Sequence, residues 1–497
     1  MKKNIFISFA LVATLFVSAQ QKNTLLEQSF WKTAPDVAAV KAEIAKGNNP
    51  AEANANAFDV TTVAINNDAP LASIKFLLEQ PGNPVNKSTH DNRIYLHWAA
   101  YRGNTELVEY LISKGSDVNF EDSHGTTPIA FAAVNGLLNQ SVSEAFFKAG
   151  IDPKKKYSDG ANLLLLSIPF DKDLALTDYL ITKGLSLKDT DKNGATAFDY
   201  AARIGNVALL KKIAAKGIKA TDNALFIATQ GARRETTPLE TYKYLVEEVK
   251  IKPTAANKSG ENVLHLLAGK QNQAEIITYF LSKGVDANKV NNDGNTPLMI
   301  AAGREITVVE KLLPVTKNIN LQNSKGESAL TFAVRSGNPE SVALLLDKGA
   351  DVNVKDKDGN NLGIYLVQSY RPAGRGEANA AKDPFEAKVK LLQDKGLNLA
   401  AAQKDGSTLY HFAIAKNDLA LLKKLAALNI DVNAKNKDGM TALHKAAMVA
   451  KDDNILKYLI SIGAKKDIKT EFDESVYALA KENESLTKNN VSIDFLK

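Results

Sequence analysis

Apolar residues recur along this chain at helical spacing, in short stripes that polar segments interrupt. One stripe begins at Leu107 and is followed by a Lys-Gly pair and an Asp-x-Asn segment, and the same succession recurs at 278–288 and 342–353. A glycine in the left-handed conformation ends a helix, and the polar segment then leads into a turn. The pattern predicts short amphipathic helices that repeat along the chain.

A second apolar element precedes each stripe and carries a pair of alanines. A threonine stands before several of these elements, where its hydroxyl caps a helix, and a proline at the first helical position loses no needed donor. Small side chains let neighbouring helices approach closely. The alanine pairs lie at 99–100, 132–133, 201–202, 301–302 and 446–447.

Glycines that follow a polar turn recur with a period of about 33 residues. Together with strings such as DSHGTTPI at 122–129 and NKDGMTALH at 436–444, this period resembles the ankyrin repeat. The resemblance implies an all-α solenoid of stacked helix-turn-helix units with β-turn fingers, about 12 to 14 units including caps. The turn glycines are Gly125, Gly160, Gly194, Gly260, Gly294, Gly326, Gly359, Gly406 and Gly439.

The repeats predict the domain organisation. An N-terminal helical cap is expected over 20–56, the repeat solenoid over 57–466, and a C-terminal cap and tail over 467–497. Capping repeats tolerate polar outer faces because they have a neighbour on one side only. The first nineteen residues form a separate segment.

The pattern of residues 1–19 predicts a signal peptide, because two lysines precede an apolar run and small residues stand before Gln20. Cleavage is expected between Ala19 and Gln20, with periplasmic or secreted localisation. An uncleaved anchor is the alternative, although the run is shorter than the ~20 residues that cross a bilayer. We expect no membrane insertion after cleavage.

Composition excludes several classes of site. The chain has 497 residues, 44% of them hydrophobic and 24% charged, which is typical of a folded protein. It has no cysteine, so disulfides and thiolate metal sites are absent. The formal net charge of +6 is spread over alternating signs, so no nucleic-acid partner is expected.

Two departures from the period stand out. An insertion at 369–384, containing Arg371 and Arg375, is predicted to be a flexible excursion that either contacts a partner or is a tolerated surface insertion. Near Thr221 the turn before the first helix is too short, and extra residues between the two helices restore the period. The curvature of the solenoid is expected to change locally at this repeat.

No catalytic constellation is evident, so we predict a non-enzymatic protein without cofactor or metal. Four histidines occupy one position of the repeat, where the ankyrin resemblance implies a hydrogen bond across the neighbouring turn. Their separation along the chain prevents joint metal coordination. They are His97, His265, His411 and His444.

Cations recur near the end of the first helix, on the side that the resemblance implies is concave. One hypothesis is a basic ladder complementary to an acidic protein surface, with aromatic anchors at Trp98, Tyr101 and Tyr95 near the N-terminal end. For Trp98, packing between helices is the alternative. The alternative is a set of solvated helix ends, where the helix dipole favours cations. The candidate cations are Arg102, Arg203, Lys270, Arg304, Arg335 and Lys416.

These features predict a monomeric scaffold or adaptor that binds other proteins. Exported bacterial ankyrin proteins include a group linked to periplasmic haem catalases, so the resemblance implies a catalase-like enzyme as one partner. No particular residue of the sequence indicates a catalase as the partner. The alternative is a secreted effector that binds host proteins.

Overall fold

A computed structural model of the chain describes residues 22–232, 236–372 and 384–497. The chain divides into two compact units, Met1–Thr236 and Thr237–Lys497. Secondary structure in the described residues is helical apart from two isolated β-bridges, which confirms the predicted all-α repeat architecture. The predicted signal peptide and its cleavage site lie outside the described residues.

In the first unit each repeat contributes a first and a second helix. The helices are α1 (Gln28–Trp31), α2 (Val37–Ala45), α3 (Val60–Asn66), α4 (Leu71–Leu78), α5 (Tyr95–Tyr101), α6 (Thr105–Ser113), α7 (Pro128–Val134), α8 (Gln140–Lys148), α9 (Leu163–Ser167), α10 (Ala175–Thr182), α11 (Ala197–Ala201), α12 (Val207–Ala215) and α13 (Asn223–Ala228).

The second unit continues the alternation. Its helices are α14 (Leu239–Lys243), α15 (Val263–Ala268), α16 (Ala274–Ser282), α17 (Pro297–Ala302), α18 (Ile306–Leu312), α19 (Ala329–Ser336), α20 (Pro339–Asp347), α21 (Leu362–Ser369), α22 (Pro384–Asp394), α23 (Leu409–Ala413), α24 (Leu419–Ala426), α25 (Ala442–Val449), α26 (Asn454–Ser461), α27 (Val476–Glu482) and α28 (Glu484–Lys488). Among all described residues, none of these helices has the length and apolar character that a bilayer span requires.

The turns between repeats are built from polar side chains that bond their own backbone. Oδ1 of Asp122 accepts the N–H groups of His124 and Thr126, both at 2.9 Å. Gly125 has φ +70°, a conformation that glycine adopts without steric cost. Several turns are also joined to the preceding one, as where the Ser123 N–H donates to the Asp91 carbonyl at 2.9 Å. These bonds build the predicted β-turn fingers.

Neighbouring first helices pack through the alanine pairs. Ala99 and Ala100 of α5 are fully buried, and so are Ala132 and Ala133 of α7, the helix against which α5 packs. The second helices bury their aliphatic stripe, as Leu107 does in α6. The hydrophobic core is therefore distributed along each unit, one layer to a repeat.

The repeat that starts near Thr221 lacks the usual turn, as predicted, and α13 begins at Asn223. Asp199 of α11 compensates, because its carboxylate accepts the N–H of Thr221 at 2.8 Å and the Thr221 hydroxyl at 2.6 Å. Burial raises the pKa of Asp199. The boundary between the two compact units falls in this same repeat, between α13 and α14.

The predicted excursion at 369–384 is narrower than expected, since Ser369 is the last residue of α21 and Pro384 is the first of α22. Both positions keep helical backbone because each lies at the end of a packed helix. Residues 373–383, which include Arg375, lie outside the described residues. Beyond them, the buried Lys388 ammonium donates to the carbonyl of Val334 at 2.9 Å and ties α22 to α19.

Candidate functional site

A cleft of about 1080 Å³ lies in the first unit, where the first helices of successive repeats end. Aromatic rings and guanidinium groups from several repeats belong to its lining. We call this surface the aromatic–arginine cleft. The residues that define it are Phe58, Arg93, Trp98, Tyr101, Arg102, Phe131, Phe170 and Arg203.

The aromatic side chains of the cleft pack against one another. The rings of Tyr101 and Phe131 are tilted, with centroids 5.3 Å apart, and the ring of Trp98 meets Phe131 edge-on at 5.8 Å. Trp98 is 5% exposed, and its indole N–H donates to the Thr89 hydroxyl at 2.9 Å. Trp98 therefore forms the floor of the cleft, while Tyr101 and Phe131 are half-exposed on its wall.

Tyr95 was the third predicted aromatic anchor, and that prediction is wrong. Its side chain is 0% exposed, and its hydroxyl donates to Oδ2 of Asp59 at 2.5 Å. The first residue of α5 points into the core, because a helical stripe with the alanine pair places it on the packed face. A buried ring cannot anchor a partner.

Arg93 completes the site, although the sequence analysis did not single it out. Its guanidinium lies over the ring of Phe131, 4.3 Å from the centroid. Nε donates to Oδ2 of Asp122 at 2.9 Å, and Nη1 donates to Oδ2 of Asp91 at 3.0 Å. Arg93 precedes the helix instead of following the alanine pair, so the ladder pattern did not include it.

The imidazoles of His90 and His124 stand beside the same aspartate. Nε2 of His90 lies 3.4 Å from Oδ2 of Asp91, and Nε2 of His124 lies 3.5 Å from it. Burial raises the pKa of Asp91, but the neighbouring His90, Arg93 and His124 outweigh this and leave the pKa lowered. The charged form of the carboxylate is thus favoured, and Arg93 is its ion-pair partner.

Two cations of the predicted ladder reach the cleft. Arg102 forms a two-point ion pair with Asp68, and its Nε lies 2.8 Å from Oδ1. Arg203 reaches back across a whole repeat, since its Nη1 donates to the carbonyl of Val134 at 3.4 Å and its Nε to the carbonyl of Gly231 at 3.3 Å. Burial lowers the pKa of Arg203. The structure therefore brings Arg203 and the aromatic wall together.

The other predicted cations belong to the second unit. Arg335 forms an ion pair with Glu327 and covers the ring of Phe332 at 4.7 Å. Lys416 donates to the carbonyl of Gln368 at 3.2 Å. Lys270 follows α15 and is half-buried, and Arg304 follows α17 and is exposed. They lie at one or the other of the two residues that follow the alanine pair or its equivalent, but they do not line the aromatic–arginine cleft.

Arg371 is described, whereas Arg375 is not. The exposed Arg371 turns back on its own helix end, where Nη1 donates to the carbonyls of Gln368 at 2.9 Å and Tyr370 at 3.0 Å. Its guanidinium thus satisfies carbonyls that the end of α21 leaves open.

The four histidines bond across the neighbouring turn, as the resemblance implied. Nε2 of each lies 3.0 or 3.1 Å from a backbone carbonyl of the next repeat. In His411 and His444, Nδ1 accepts the N–H of Thr408 and Thr441. One nitrogen donates and the other accepts, which describes a neutral imidazole. Burial lowers the pKa of all four side chains, to about 4 for His97.

The described residues contain no group of three or more histidine or carboxylate side chains arranged to hold a metal ion. The histidines lie in separate repeats with their rings bonded to turns, and the carboxylates of the cleft are paired with arginines. The cleft therefore presents aromatic rings and charged groups that a binding partner could contact.

Gly136 lies next to Phe170, which lines the cleft. We expect replacement of Gly136 by alanine to lower the free energy of unfolding by about 2 kcal/mol. Gly136 has φ +75°, and an added Cβ would lie 2.5 Å from the ring of Phe170. Chemical denaturation measures the change. Gly125→Ala is the matched control, because φ there is +70° but the nearest side chain stands 4.0 Å away. Equal losses in both variants would rule out the contact with Phe170 as a cause.

The chain was compared with known protein families and proteins. The model for ankyrin repeats, three copies long, matches residues 62–157, 226–323, 264–356 and 378–470, more than half of the chain. The human transient receptor potential cation channel subfamily A member 1 is 23% identical over 398 residues, which is 76% of this chain and 31% of the channel.

Two further relatives match shorter segments. NF-kappa-B inhibitor delta from Mus musculus is 26% identical over 42% of this chain and 70% of its own length. Palmitoyltransferase AKR1 from Lachancea kluyveri is 35% identical over 31% of this chain and 22% of the transferase. The chain thus spans less than a third of the channel and of the transferase.

Proposed function

Because this chain belongs to the ankyrin-repeat family, we propose that it binds other proteins through the aromatic–arginine cleft and carries out no chemistry itself. The observation that carries this proposal is the convergence of half-exposed rings with three arginines in one cleft. Aromatic and arginine side chains supply most of the binding energy in protein interfaces.

The cleft is organised before any partner arrives. Two acceptors hold Arg93 over Phe131, and Asp68 holds Arg102. Side chains that are already fixed lose little conformational entropy when a partner docks on them. A rigid wall of rings with oriented charges is therefore suited to binding a defined partner surface.

The cellular role that we propose is a scaffold in the bacterial periplasm, where the protein would protect or assemble an exported enzyme such as a catalase. Residues 1–19 support export by their charged start, apolar run and small residues before Gln20. A secreted effector that binds host proteins uses the same cleft and is the second candidate. Fractionation of the native cells separates the two, since an effector accumulates in the medium or the host.

Site-specific photo-cross-linking tests the proposed surface. We expect a photoreactive phenylalanine analogue at Tyr101 to form adducts with a partner in living cells, because Tyr101 lies on the cleft wall. The same analogue at Tyr179, on the second helix α10, is the matched control. Mass spectrometry of the adducts identifies the partner. Adducts from Tyr179 alone, or none from Tyr101, would contradict binding at the cleft.

A further inference from the structure

We propose that His90, Asp91 and His124 form a pH-sensitive contact between three successive turns at the rim of the aromatic–arginine cleft. His90 and Asp91 line the cleft, and His124 lies beside them in the following turn. We call these three residues the histidine clasp. The clasp holds the turns together while its imidazoles are protonated and loosens as they lose their protons. This inference goes beyond the proposed function, because the clasp acts within the fold and requires no partner.

Both ring nitrogens of His90 face hydrogen-bond acceptors. Nδ1 lies 2.9 Å from the carbonyl oxygen of Asn56 in the preceding turn, and Nε2 lies 3.4 Å from Oδ2 of Asp91. A carbonyl and a carboxylate cannot donate, and a neutral imidazole carries only one N–H group. The neutral ring therefore donates towards one of these oxygens, whereas the protonated ring donates towards both.

His124 approaches the same carboxylate from the following turn. Its Nε2 lies 3.5 Å from Oδ2 of Asp91, the oxygen that also accepts Nη1 of Arg93 at 3.0 Å. A backbone bond already joins the two turns, since the Ser123 N–H donates to the Asp91 carbonyl at 2.9 Å. Protonation of His124 adds an attraction between opposite charges beside this bond.

The ring of His90 also contacts the aromatic lining of the cleft. It stacks on Phe58 with the ring centroids 4.4 Å apart and an interplanar angle of 22°. The centroid of Phe58 lies 5.5 Å from that of Trp98 on the floor of the cleft. Because an aromatic face attracts a cation, this stacking also favours the protonated form of the clasp.

The two imidazoles are the groups of these three turns that change charge between pH 5.5 and 7.5. Histidine titrates in this interval, whereas aspartate, glutamate and arginine ordinarily keep one charge state. Residues 54–58 of the preceding turn carry no charged side chain. Deprotonation therefore leaves the Asp91 carboxylate with Arg93 as its cationic partner. The titratable side chains of the other two turns are His90, Asp91, Arg93, Glu121, Asp122 and His124.

Acid has the opposite effect on the buried histidines, which makes the clasp distinguishable from the rest of the fold. Burial lowers the pKa of His97 to about 4, so a proton on that ring destabilises the folded chain. A turn that becomes better protected in acid cannot owe this change to the stability of the whole fold.

Hydrogen–deuterium exchange of the mature full-length chain, followed by mass spectrometry at pH 5.5 and 7.5, tests the clasp. Within the turn, the N–H groups of Asn92 and Arg93 donate to the carbonyls of Thr89 and His90 at 3.0 and 3.2 Å. After correction for intrinsic exchange rates, we expect these amides to be about threefold better protected at pH 5.5, the effect of partly exposed ion pairs.

The double variant His90→Gln/His124→Gln is expected to be equally protected at both pH values, because glutamine keeps an N–H donor but does not titrate. Asp91→Asn is a second variant that leaves both imidazoles in place and removes the carboxylate that they face. Asparagine also tolerates the left-handed backbone of this position, where φ is +56°. We expect Asp91→Asn to lose most of the pH effect. Circular dichroism establishes that the variants fold.

The turn at 291–295 is the internal control, because it has equivalent backbone bonds but no histidine. There the Asn292 N–H donates to the carbonyl of Ser259 in the preceding turn at 2.9 Å. Equal protection of the 89–93 turn at both pH values would overturn the proposal. So would an unchanged pH effect in the double variant, or an effect of the same size at 291–295. The cross-linking result at Tyr101 is independent of these outcomes.

Discussion

Phe146→Ala is expected to lower the free energy of unfolding by about 3–5 kcal/mol. Phe146 lies in the second helix α8, is 0% exposed and is among the largest fully buried side chains of the described residues. Truncation removes its transfer free energy and leaves a cavity that the neighbouring α6 cannot collapse to fill. Each repeat depends on its neighbours for burial, so the loss spreads to adjacent repeats. Urea denaturation followed by circular dichroism measures it.

Phe472→Ala is the matched control for this truncation. Phe472 is 78% exposed, and the same change there is expected to alter the free energy of unfolding by less than about 0.5 kcal/mol. A loss at Phe472 comparable to that at Phe146 would mean that the cost arises from some feature other than the buried cavity.

Acidification is expected to destabilise the fold through its buried histidines, and His97 is expected to contribute on the order of 3 kcal/mol between pH 7 and pH 4. Burial lowers the pKa of His97 to about 4, below the ordinary histidine value of 6.5. The unfolded chain therefore binds more protons across this interval. Stability must fall as the pH decreases from about 6.5 to about 4.

The geometry supplies the reason for this shift. Nε2 of His97 lies 3.0 Å from the carbonyl of Thr126, and the ring is fully buried. Its Nδ1 has no hydrogen-bond partner among the described residues. A second proton would place a charged donor at this buried nitrogen, which costs free energy that the carbonyl contact does not repay.

The comparison of two glutamine variants isolates this contribution from that of the carboxylates. We expect His97→Gln to have a shallower dependence of the unfolding free energy on pH than the wild type. Met299→Gln is the control, because Met299 occupies the same position of its repeat, is 1% exposed and does not titrate. It is expected to lose stability equally at every pH. An unchanged slope in His97→Gln would exclude His97 as the source.

Much of the fold could be predicted because the residues that determine each repeat lie within that repeat. The turn glycine, the capping threonine and the apolar stripe act within one repeat, over distances that a sequence displays directly. The hydrogen bond of each histidine crosses to the next repeat, and it could be predicted only through the resemblance to ankyrin repeats. The prediction for Tyr95 failed although its helical spacing from the alanine pair already places it on the packed face of α5.

The residues of the cleft could be predicted from the sequence only in part. Tyr101, Arg102 and Arg203 could be selected from their place in the repeat, and the structure locates all three in the lining. Arg93 could not, because Asp122, which orients it, lies 29 residues away in the next turn. The sequence does show an arginine between two turns that contain aspartates. The distance between those turns, however, is set by the tertiary structure.

The sequence by itself determined the repeat unit, its all-α class and the position of a cation near the end of several first helices. These properties depend on local backbone preferences and on periodic burial, both of which act within one repeat. Tertiary structure decided which cations share a cleft. Arg203 reaches the carbonyl of Val134, 69 residues earlier, while Arg335 occupies the equivalent position of its repeat but lines no part of that cleft. The difference arises because contacts between residues of different repeats depend on tertiary packing, which the local pattern of one repeat does not contain.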